Sequence, residues 1–296
     1  MDGIINVYKV KGMTSHDVVN KIRRIFNTKQ VGHTGTLDPN AEGVLVICLN
    51  AATKLVQFLE ADSKKYQAEL IIGIATDTYD ITGKILEKKE NPVVTYEKVK
   101  EVIESFKGPQ LQKPPLYSAI KVNGKKLYDY ALKNQEVEVA SRKIEIFNIK
   151  VLDDNLQQKG DYYSLRFEVS VSKGTYIRSL CHDIGEKLNI PCTMGDLLRT
   201  RSGAFKIDDA KTLEEIEQGD YSIKGLVDSL SEIDKIDVSN NPDLIYKITN
   251  GMKLSLKTFN QKYQRIAFIE DNKLLAVYEF HEEETYKYYK AVRVWK

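Results

Sequence analysis

The sequence predicts an α+β fold, with a mixed, mostly antiparallel sheet flanked by helices. One observation is strict alternation: apolar residues occupy every second position from Tyr163 to Val171, as a half-buried antiparallel strand requires. A second is the change to helical spacing after Gly174, where a strand, a turn and a helix meet. A third is a series of short alternating segments near the C-terminus, such as residues 265–270, which predicts a small β-rich unit there.

Length and composition indicate a soluble protein with room for a sizeable core. The chain has 296 residues, of which 42% are hydrophobic and 29% charged, as is typical of soluble globular domains. No stretch approaches the ~18 apolar residues that span a bilayer. The N-terminal segment lacks the basic flank and apolar core of a secretory signal. We therefore expect a cytoplasmic protein with no membrane partner.

The cysteines and histidines predict neither a disulfide framework nor a metal site. The three cysteines are odd in number and form no C-x-x-C pair, and the four histidines do not have the spacing of metal ligands. The acidic residues do not follow a calcium-loop pattern either. We therefore expect buried or adventitious thiols and no metal.

The positive charge is concentrated in two segments, although the net charge of +2 is too small to indicate a nucleic-acid partner. Residues 9–29 hold six lysines and arginines against one acid, and residues 113–133 hold five lysines against one acid. The second segment interleaves its charges with Tyr117, Tyr128 and Tyr130. Each segment alone fits a solvated surface equally well, but the two together favour a surface that binds RNA or DNA.

The elements predicted for the first half are strands and helices. The helix after the first strand is supported by a capping box, because Thr14 and Asp17 precede apolar residues at helical spacing. The other predicted elements are strands at 4–9, 44–49 and 66–74 and helices at 51–60 and 96–106.

Residues 107–142, called the insertion below, combine a proline-containing loop, a hairpin and a short helix. Asn123-Gly124 forms the predicted turn of the hairpin, because this pair favours the positive φ angles of a two-residue turn. Further on, a charged segment at 230–243 interrupts the pattern. We therefore divide the chain into a large domain, 1–232, and a small β-rich domain, 233–296.

Asp38 stands in a loop punctuated by glycine and proline, directly before an apolar strand. The following Pro39 disfavours helical backbone angles at Asp38, so the carboxylate is held in an extended or turn conformation. An aspartate before proline in such a loop fits ordinary turn chemistry as well as catalysis. The surrounding residues leave both interpretations open.

Arg178 falls in the first turn of the helix that follows Gly174. The helix dipole disfavours a cation there by a few tenths of a kcal/mol to about 1 kcal/mol unless an anion lies close by. A protein carboxylate or a ligand phosphate suits a bidentate guanidinium. An exposed arginine at a frayed helix end is the third alternative. The pattern favours an anionic partner but does not identify it.

Six segments of the chain carry a resemblance to a known family. In order they are KGMTSHDVV, GHTGTLDPNAEGVLVICLNAATK, KKYQAEL, TDTYDITG, PPLYSAIKVNGKKLYDYA and SKGTYIRSLCHDIG. Together they resemble the TruB family of bacterial pseudouridine synthases, which isomerise the T-loop uridine at position 55 of tRNA. The resemblance covers about residues 4–205. Six motifs in the family's order are specific evidence for the resemblance, whereas a single G-x-x-D-P motif would be weak evidence.

The resemblance implies a role for each matching residue. Asp38 matches the essential aspartate, which attacks C1′ of the ribose or removes a proton from C2′. Arg178 matches the arginine that pairs with this aspartate and keeps it ionised. Tyr66 and Tyr176 match aromatic residues that pack on the target base, and Leu197 matches an apolar wall residue. Without the resemblance, Tyr66 and Leu197 fit a core strand and a core helix.

Other matches concern RNA binding. His33 matches a residue that fills the gap left when the uridine is flipped out of its loop. Lys9 matches a lysine near the active site, although Val10 follows it where the family commonly has proline. Tyr117 and Lys121 lie in the insertion, which resembles the flexible, thumb-like segment that grips the tRNA T-arm.

The resemblance also implies a pseudouridine synthase fold with a PUA-like, RNA-binding C-terminal domain. An isomerisation needs no redox or phosphate chemistry, so we expect no cofactor. The expected partner is the T-arm of tRNA, bound by a monomer that needs no other protein. The alternatives are a non-catalytic tRNA-binding or folding factor on the same scaffold, and a guide-RNA-dependent relative. Asp38, Tyr66 and Arg178 together favour an enzyme, and the short tail favours a stand-alone one.

Overall fold

A computed structural model describes residues 1–59, 63–133, 135–231, 233–283 and 286–295. The strands are β1 Gly3–Lys9, β2 Val31–His33, β3 Glu42–Leu49, β4 Ser63–Ile72, β5 Ile74–Thr76, β6 Ile85–Lys88, β7 Gly108–Gln112, β8 Lys121–Val122, β9 Lys125–Lys126, β10 Arg142–Val151, β11 Gln157–Lys159, β12 Tyr162–Ser172, β13 Cys192–Ser202, β14 Phe205–Lys206, β15 Asp234–Asp237, β16 Leu254–Ser255, β17 Arg265–Glu270, β18 Lys273–Glu283 and β19 Tyr286–Val294. The helices are α1 Ser15–Ile25, α2 Val56–Leu59, α3 Tyr96–Glu104, α4 Leu127–Leu132, α5 Ile177–Leu188, α6 Leu213–Glu217, α7 Leu226–Ser229 and α8 Pro242–Thr249. Short 3-10 helices span Asn50–Leu55, Ile207–Asp209 and Leu256–Thr258.

Among the described residues, ten strands form one large sheet in the order β1-β3-β13-β4-β12-β10-β7, with β2, β11 and β14 attached to β3, β12 and β13. Neighbours on this path run antiparallel except β3 and β13, which are parallel. Apolar residues of α1, α3 and α5 pack on this sheet. A smaller sheet has the order β15-β17-β18-β19-β16. The predicted α+β class, with a β-rich C-terminal part, is confirmed.

Strand β3 has a continuous apolar run because it is buried on both faces. From residue 44 to 49, the odd-numbered side chains join the core beneath the helices, and the even-numbered ones join a second apolar cluster that includes residues of the smaller sheet. Contacts on this second side include Ala267, Val277 and Trp295. The Trp295 indole Nε1 also donates a hydrogen bond to the Ala51 carbonyl oxygen, at 3.1 Å. These residues form an inter-sheet core.

Several local predictions are confirmed. Helix α1 begins with the predicted capping box, in which the Asp17 carboxylate accepts a hydrogen bond from the Thr14 N–H at 2.8 Å. Strand β12 pairs antiparallel with β4 and β10. Asn123 and Gly124 form the turn between β8 and β9, and both have positive φ. The three cysteines are buried and free.

The helix predicted at 51–60 is present in the described residues, but only its second part is an α-helix. The segment forms a 3-10 helix, Asn50–Leu55, followed by the four-residue α2. The Thr53 hydroxyl donates to the Asn50 carbonyl oxygen three residues back, at 2.6 Å, which favours the tighter turn. Residue 60, the predicted end, lies outside the described residues.

The central strand β13 was not predicted, and Leu197 lies in it rather than in a helix. The register of β13 against β4 shifts after Met194 and again after Arg199, which erases the alternation of apolar residues. The segment 230–243 was also misinterpreted as an interruption. It contains β15, an edge strand whose charged residues are exposed, and the start of α8.

Gly43 is expected to tolerate no side chain. It lies in β3 opposite Arg199 of β13, has a φ of 104°, and would place a Cβ 2.2 Å from the Arg199 backbone oxygen. We predict that Gly43→Ala lowers the free energy of unfolding, measured in urea, by about 3 to 5 kcal/mol. Gly12→Ala is the matched control, because Gly12 has a φ of 82° but open space at its Cβ position. Equal losses of unfolding free energy in the two variants would show that the positive φ, and not the contact with Arg199, destabilises Gly43→Ala.

Candidate active site

A cavity of about 1000 Å³ opens between the loop 34–41, the N-terminal end of α5 and the insertion. This volume lies at the upper end of the range for small-molecule sites, which suits a ligand of nucleotide size. Six of the nine predicted site residues line the cavity: Asp38, Tyr66, Tyr117, Tyr176, Arg178 and Leu197.

Two buried cations hold the loop that carries Asp38. Lys9 and Arg199 are both fully buried. The Lys9 ammonium donates to the Pro39 carbonyl oxygen at 3.1 Å, and the Arg199 guanidinium donates to the Gly35 carbonyl oxygen at 3.1 Å. Displacing the loop would break one hydrogen bond of each buried cation, which is costly. The backbone on both sides of Asp38 is therefore fixed.

Asp38 and Arg178 form an ion pair at the cavity wall. The Arg178 Nε lies 2.9 Å from Oδ2 of Asp38, and Nη2 lies 3.3 Å from Oδ1. The arginine side chain is 6% exposed and the aspartate side chain is 41% exposed. The carboxylate therefore faces the cavity, and the guanidinium contacts it from the buried side. The anion beside the first turn of α5 is thus a protein carboxylate.

Arg178 is also held by a turn at residues 77–82, whose role the sequence pattern did not reveal. Nη1 donates to the Thr78 carbonyl oxygen at 3.1 Å and lies 3.9 Å from Oδ2 of Asp80. Nη2 donates to the Tyr117 carbonyl oxygen at 3.0 Å. The available signal was the polar TDTYDITG segment, which places two acids in one turn. The guanidinium is therefore held by the turn and by the insertion as well as by Asp38.

Tyr66, Leu197 and Tyr176 supply apolar and aromatic walls of the cavity. Tyr66 and Leu197 lie in the neighbouring strands β4 and β13, and each is 7% exposed. Tyr176 directly precedes α5, where the Gln112 side-chain amide donates to its carbonyl oxygen and accepts from its N–H. Burial raises the pKa of the Tyr176 phenol, so the ring is a neutral surface at physiological pH.

The other three predicted residues, Lys9, His33 and Lys121, do not line the cavity. The Lys9 ammonium lies beneath the loop and donates to backbone oxygens that include those of Met13 and Pro39. Its full burial leaves no open side for RNA, so we correct its predicted RNA contact to a contact that supports the loop. His33 ends β2 and is half-buried, and Lys121 is exposed on the β8–β9 hairpin. Their contacts with RNA stay predictions.

The insertion is attached to the N-terminal end of α5. The Ser179 hydroxyl donates to the Lys113 carbonyl oxygen at 2.9 Å, next to the bonds that join Gln112 to the backbone before the helix. Further along, the Tyr128 ring meets the Tyr117 ring edge-on, with centroids 5.9 Å apart. The lysines that line the cavity are Lys11, Lys64, Lys126 and Lys173. Aromatic rings and cations around one opening are typical of sites for single-stranded nucleic acid.

The environment of Lys9 predicts a dependence of stability on pH. Burial lowers the pKa of Lys9 from its ordinary value of 10.5 to about 8. Between these values the unfolded chain holds a proton that the folded chain has released, so stability from this group rises with pH. We predict that the unfolding free energy of the wild type, relative to Lys9→Met, increases by about 3 kcal/mol across this window. If the difference in unfolding free energy between wild type and Lys9→Met stayed constant or fell with pH, the lowered pKa of Lys9 would be contradicted.

Neither a metal centre nor a membrane span is evident in the described part of the chain. Its His, Cys, Asp and Glu side chains form no group of three or more that could hold a metal ion. None of its helices has the length and apolar character needed to cross a bilayer. The groups that the cavity brings together are the Asp38 carboxylate, the Arg178 guanidinium and several tyrosine rings.

Two family models match the chain. The model described as "TruB family pseudouridylate synthase (N terminal domain)" matches residues 23–177. The model described as "tRNA pseudouridylate synthase B C-terminal domain" matches residues 178–233. The first match includes the Asp38 loop, Tyr66 and the insertion, and the second begins at Arg178.

Relatives in sequence and a solved structure also resemble pseudouridine synthases in name or in fold. A protein of Clostridium tetani named tRNA pseudouridine synthase B is 44% identical over 281 residues, covering 94% of this chain and 92% of that protein. One of Ligilactobacillus salivarius with the same name is 40% identical and covers 96% of each chain. A structure titled "Crystal Structure of a Cbf5-Nop10-Gar1 Complex" aligns with a TM-score of 0.70 at 26% identity, over 99% of this chain and 84% of that chain. With a family model over more than half its length and such relatives, the chain belongs to the TruB family of pseudouridylate synthases.

Proposed function

We propose that the protein isomerises uridine to pseudouridine at position 55 in the T-loop of tRNA. As a member of the TruB family it is a pseudouridine synthase, and the relatives named above carry tRNA in their names. The observation that carries the proposal is the Asp38–Arg178 ion pair, which presents a carboxylate to a cavity of nucleotide size.

The Asp38 carboxylate starts the reaction. It attacks C1′ of the ribose or removes the C2′ proton as the N1–C1′ bond breaks. The freed base rotates and C5 bonds to C1′, as the bond from C1′ to Asp38 breaks in the first route or as the proton returns to C2′ in the second. C5 then loses its proton, and N1 gains one. No atom is added to or removed from the nucleotide, so no water has to be activated. Arg178 orients the carboxylate through its contacts at 2.9 and 3.3 Å.

Aromatic and apolar residues hold the target base. Chemistry at C1′ and C5 is blocked inside a stacked loop, so the uridine is flipped into the cavity before it reacts. Tyr66 and Tyr176 pack on the flipped base, and Leu197 forms the wall beside it; their positions around the cavity support these roles. His33 fills the gap that the nucleotide leaves in the T-loop.

The chain divides into a catalytic domain, 1–232, and a small PUA-like RNA-binding domain, 233–296. The separate five-stranded sheet of the C-terminal part supports this division. The insertion acts as a thumb that grips the T-arm through residues such as Tyr117 and Lys121. The position of Tyr117 at the cavity and the exposure of Lys121 support this role.

The protein acts as a monomer in the cytoplasm, without an obligatory protein partner. The relatives named tRNA pseudouridine synthase B are 40% identical or more, whereas the chains from complexes titled H/ACA RNP and Cbf5-Nop10-Gar1 are 25 and 26% identical. This difference favours the stand-alone enzyme over the guide-RNA-dependent relative. A non-catalytic tRNA-binding or folding factor has no need for Asp38, Tyr66 and Arg178 in one cavity.

Incubation of the purified protein with an unmodified tRNA transcript, followed by mapping of pseudouridine at every position, tests the proposal. We expect conversion at position 55, and no conversion there when the transcript carries cytidine. Binding of the transcript without conversion would favour the folding factor. A requirement for an added guide RNA would favour the other alternative.

A further inference from the structure

Tyr79 has an unusual backbone conformation for its residue type. Among the described residues, eight other than glycine have positive φ, and seven of them are asparagine or aspartate. The eighth is Tyr79, with a φ of 62°. Asparagine and aspartate tolerate this left-handed region because their short polar side chains bond locally, whereas a tyrosine is strained there. The chain thus keeps a large ring where glycine or asparagine would fit with less strain.

The Tyr79 ring lies flat against the imidazole of His182. The ring centroids are 4.1 Å apart, and the planes differ by 5°. His182 follows Arg178 by four residues on α5, so both side chains project from the same face of the helix. The turn 77–82 therefore contacts this face of α5 at two positions. Tyr79 stacks on His182, and the Thr78 carbonyl oxygen accepts a hydrogen bond from Arg178.

Strand β13 holds the same turn on its other side. The Met194 N–H donates to the Tyr79 carbonyl oxygen at 3.1 Å, and the Ile81 N–H donates to the Met194 carbonyl oxygen at 2.8 Å. The stack adds an anchor on the side of α5. Together the two anchors fix the Thr78 carbonyl and the Asp80 carboxylate beside the guanidinium that supports the catalytic carboxylate.

We propose that the Tyr79–His182 stack is a clamp that positions Arg178, and through it Asp38, for the chemical step. The inference rests on the proposed catalytic role of the Asp38–Arg178 pair. Tyr79 and His182 are positioning residues, because neither is among the residues that line the cavity and both act through the turn 77–82. The strained backbone at Tyr79 places an aromatic ring where it can stack on α5, which glycine or asparagine could not do.

Tyr79→Gly removes the ring and also relieves the strain, so the variant is expected to fold. We expect its single-turnover rate of pseudouridine formation, at saturating protein, to fall about three- to tenfold. Its affinity for tRNA should stay within about twofold of wild type, because no cavity residue is changed. Tyr79→Phe keeps the ring and should restore the rate. His182→Leu should be as slow as Tyr79→Gly, and the double variant no slower than either.

Asn189→Gly is the matched control. It introduces glycine at another left-handed position, with a φ of 56°, at the opposite end of α5, and leaves the stack intact. This variant should react at the wild-type rate. Wild-type single-turnover rates in Tyr79→Gly and His182→Leu would overturn the clamp, even if their melting temperatures fall. A Tyr79→Phe variant as slow as Tyr79→Gly would also overturn it. Failure of the proposed function is recognised separately, because the wild-type protein would then form no pseudouridine.

Discussion

Asp38→Asn is expected to abolish pseudouridine formation while tRNA affinity stays within about tenfold of wild type. The amide nearly matches the carboxylate in shape, but it cannot attack C1′ or accept the C2′ proton. Binding should persist because the lysines and tyrosines around the cavity are unchanged. Mapping of pseudouridine after a single turnover, together with a binding titration, measures both effects.

Asp196→Asn is the matched control for this experiment. Asp196 also lines the cavity, but its carboxylate pairs with Lys11 at 2.8 Å rather than with Arg178. We expect this variant to convert uridine at close to the wild-type rate. Retained turnover in Asp38→Asn would remove Asp38 from the chemistry.

Arg178→Met is expected to slow the reaction more than Arg178→Lys, with little change in tRNA affinity. Lysine keeps the charge but loses the fork through which Nε and Nη2 reach both oxygens of Asp38, which should cost about tenfold or more. Methionine also removes the counter-charge, which should cost about a further tenfold.

Single-turnover rates and tRNA affinities, measured at several salt concentrations, separate this role of Arg178 from two others. An arginine that only occupies the start of a helix would give near-wild-type rates in both variants. An arginine that binds a tRNA phosphate would give weaker binding in the variants, with a shallower salt dependence. A normal single-turnover rate for Arg178→Met would refute the proposed action of the pair.

Sequence patterns predicted the structure correctly where it depends on residues that are close in the chain. The capping box of α1, the Asn123-Gly124 turn and the alternation of β12 were predicted because each depends on residues close in sequence. Helix electrostatics predicted an anion beside Arg178. The resemblance was needed to choose Asp38 from the candidates, because 140 residues separate the two in the chain.

The features that were missed depend on contacts between distant segments. Strand β13 loses its alternation at two register shifts, and both are defined by its pairing with β4. Lys9 was placed near RNA, but backbone oxygens from its own turn and from the Asp38 loop hold the ammonium inside. Thr78 reaches Arg178 because β13 holds the turn in place, and local spacing carries no information about that contact.

The inter-sheet core makes the C-terminal sheet part of the scaffold behind the Asp38 loop. A fragment that ends at residue 232 would lose Ala267, Val277 and Trp295 from the cluster that holds the even-numbered apolar side chains of β3, the strand that begins directly after the Asp38 loop. The domains proposed along the chain are therefore not interchangeable modules. A different domain could replace the small one only if it presented apolar side chains that match those of this cluster. Changes in the small domain are thus constrained by its packing against the large one.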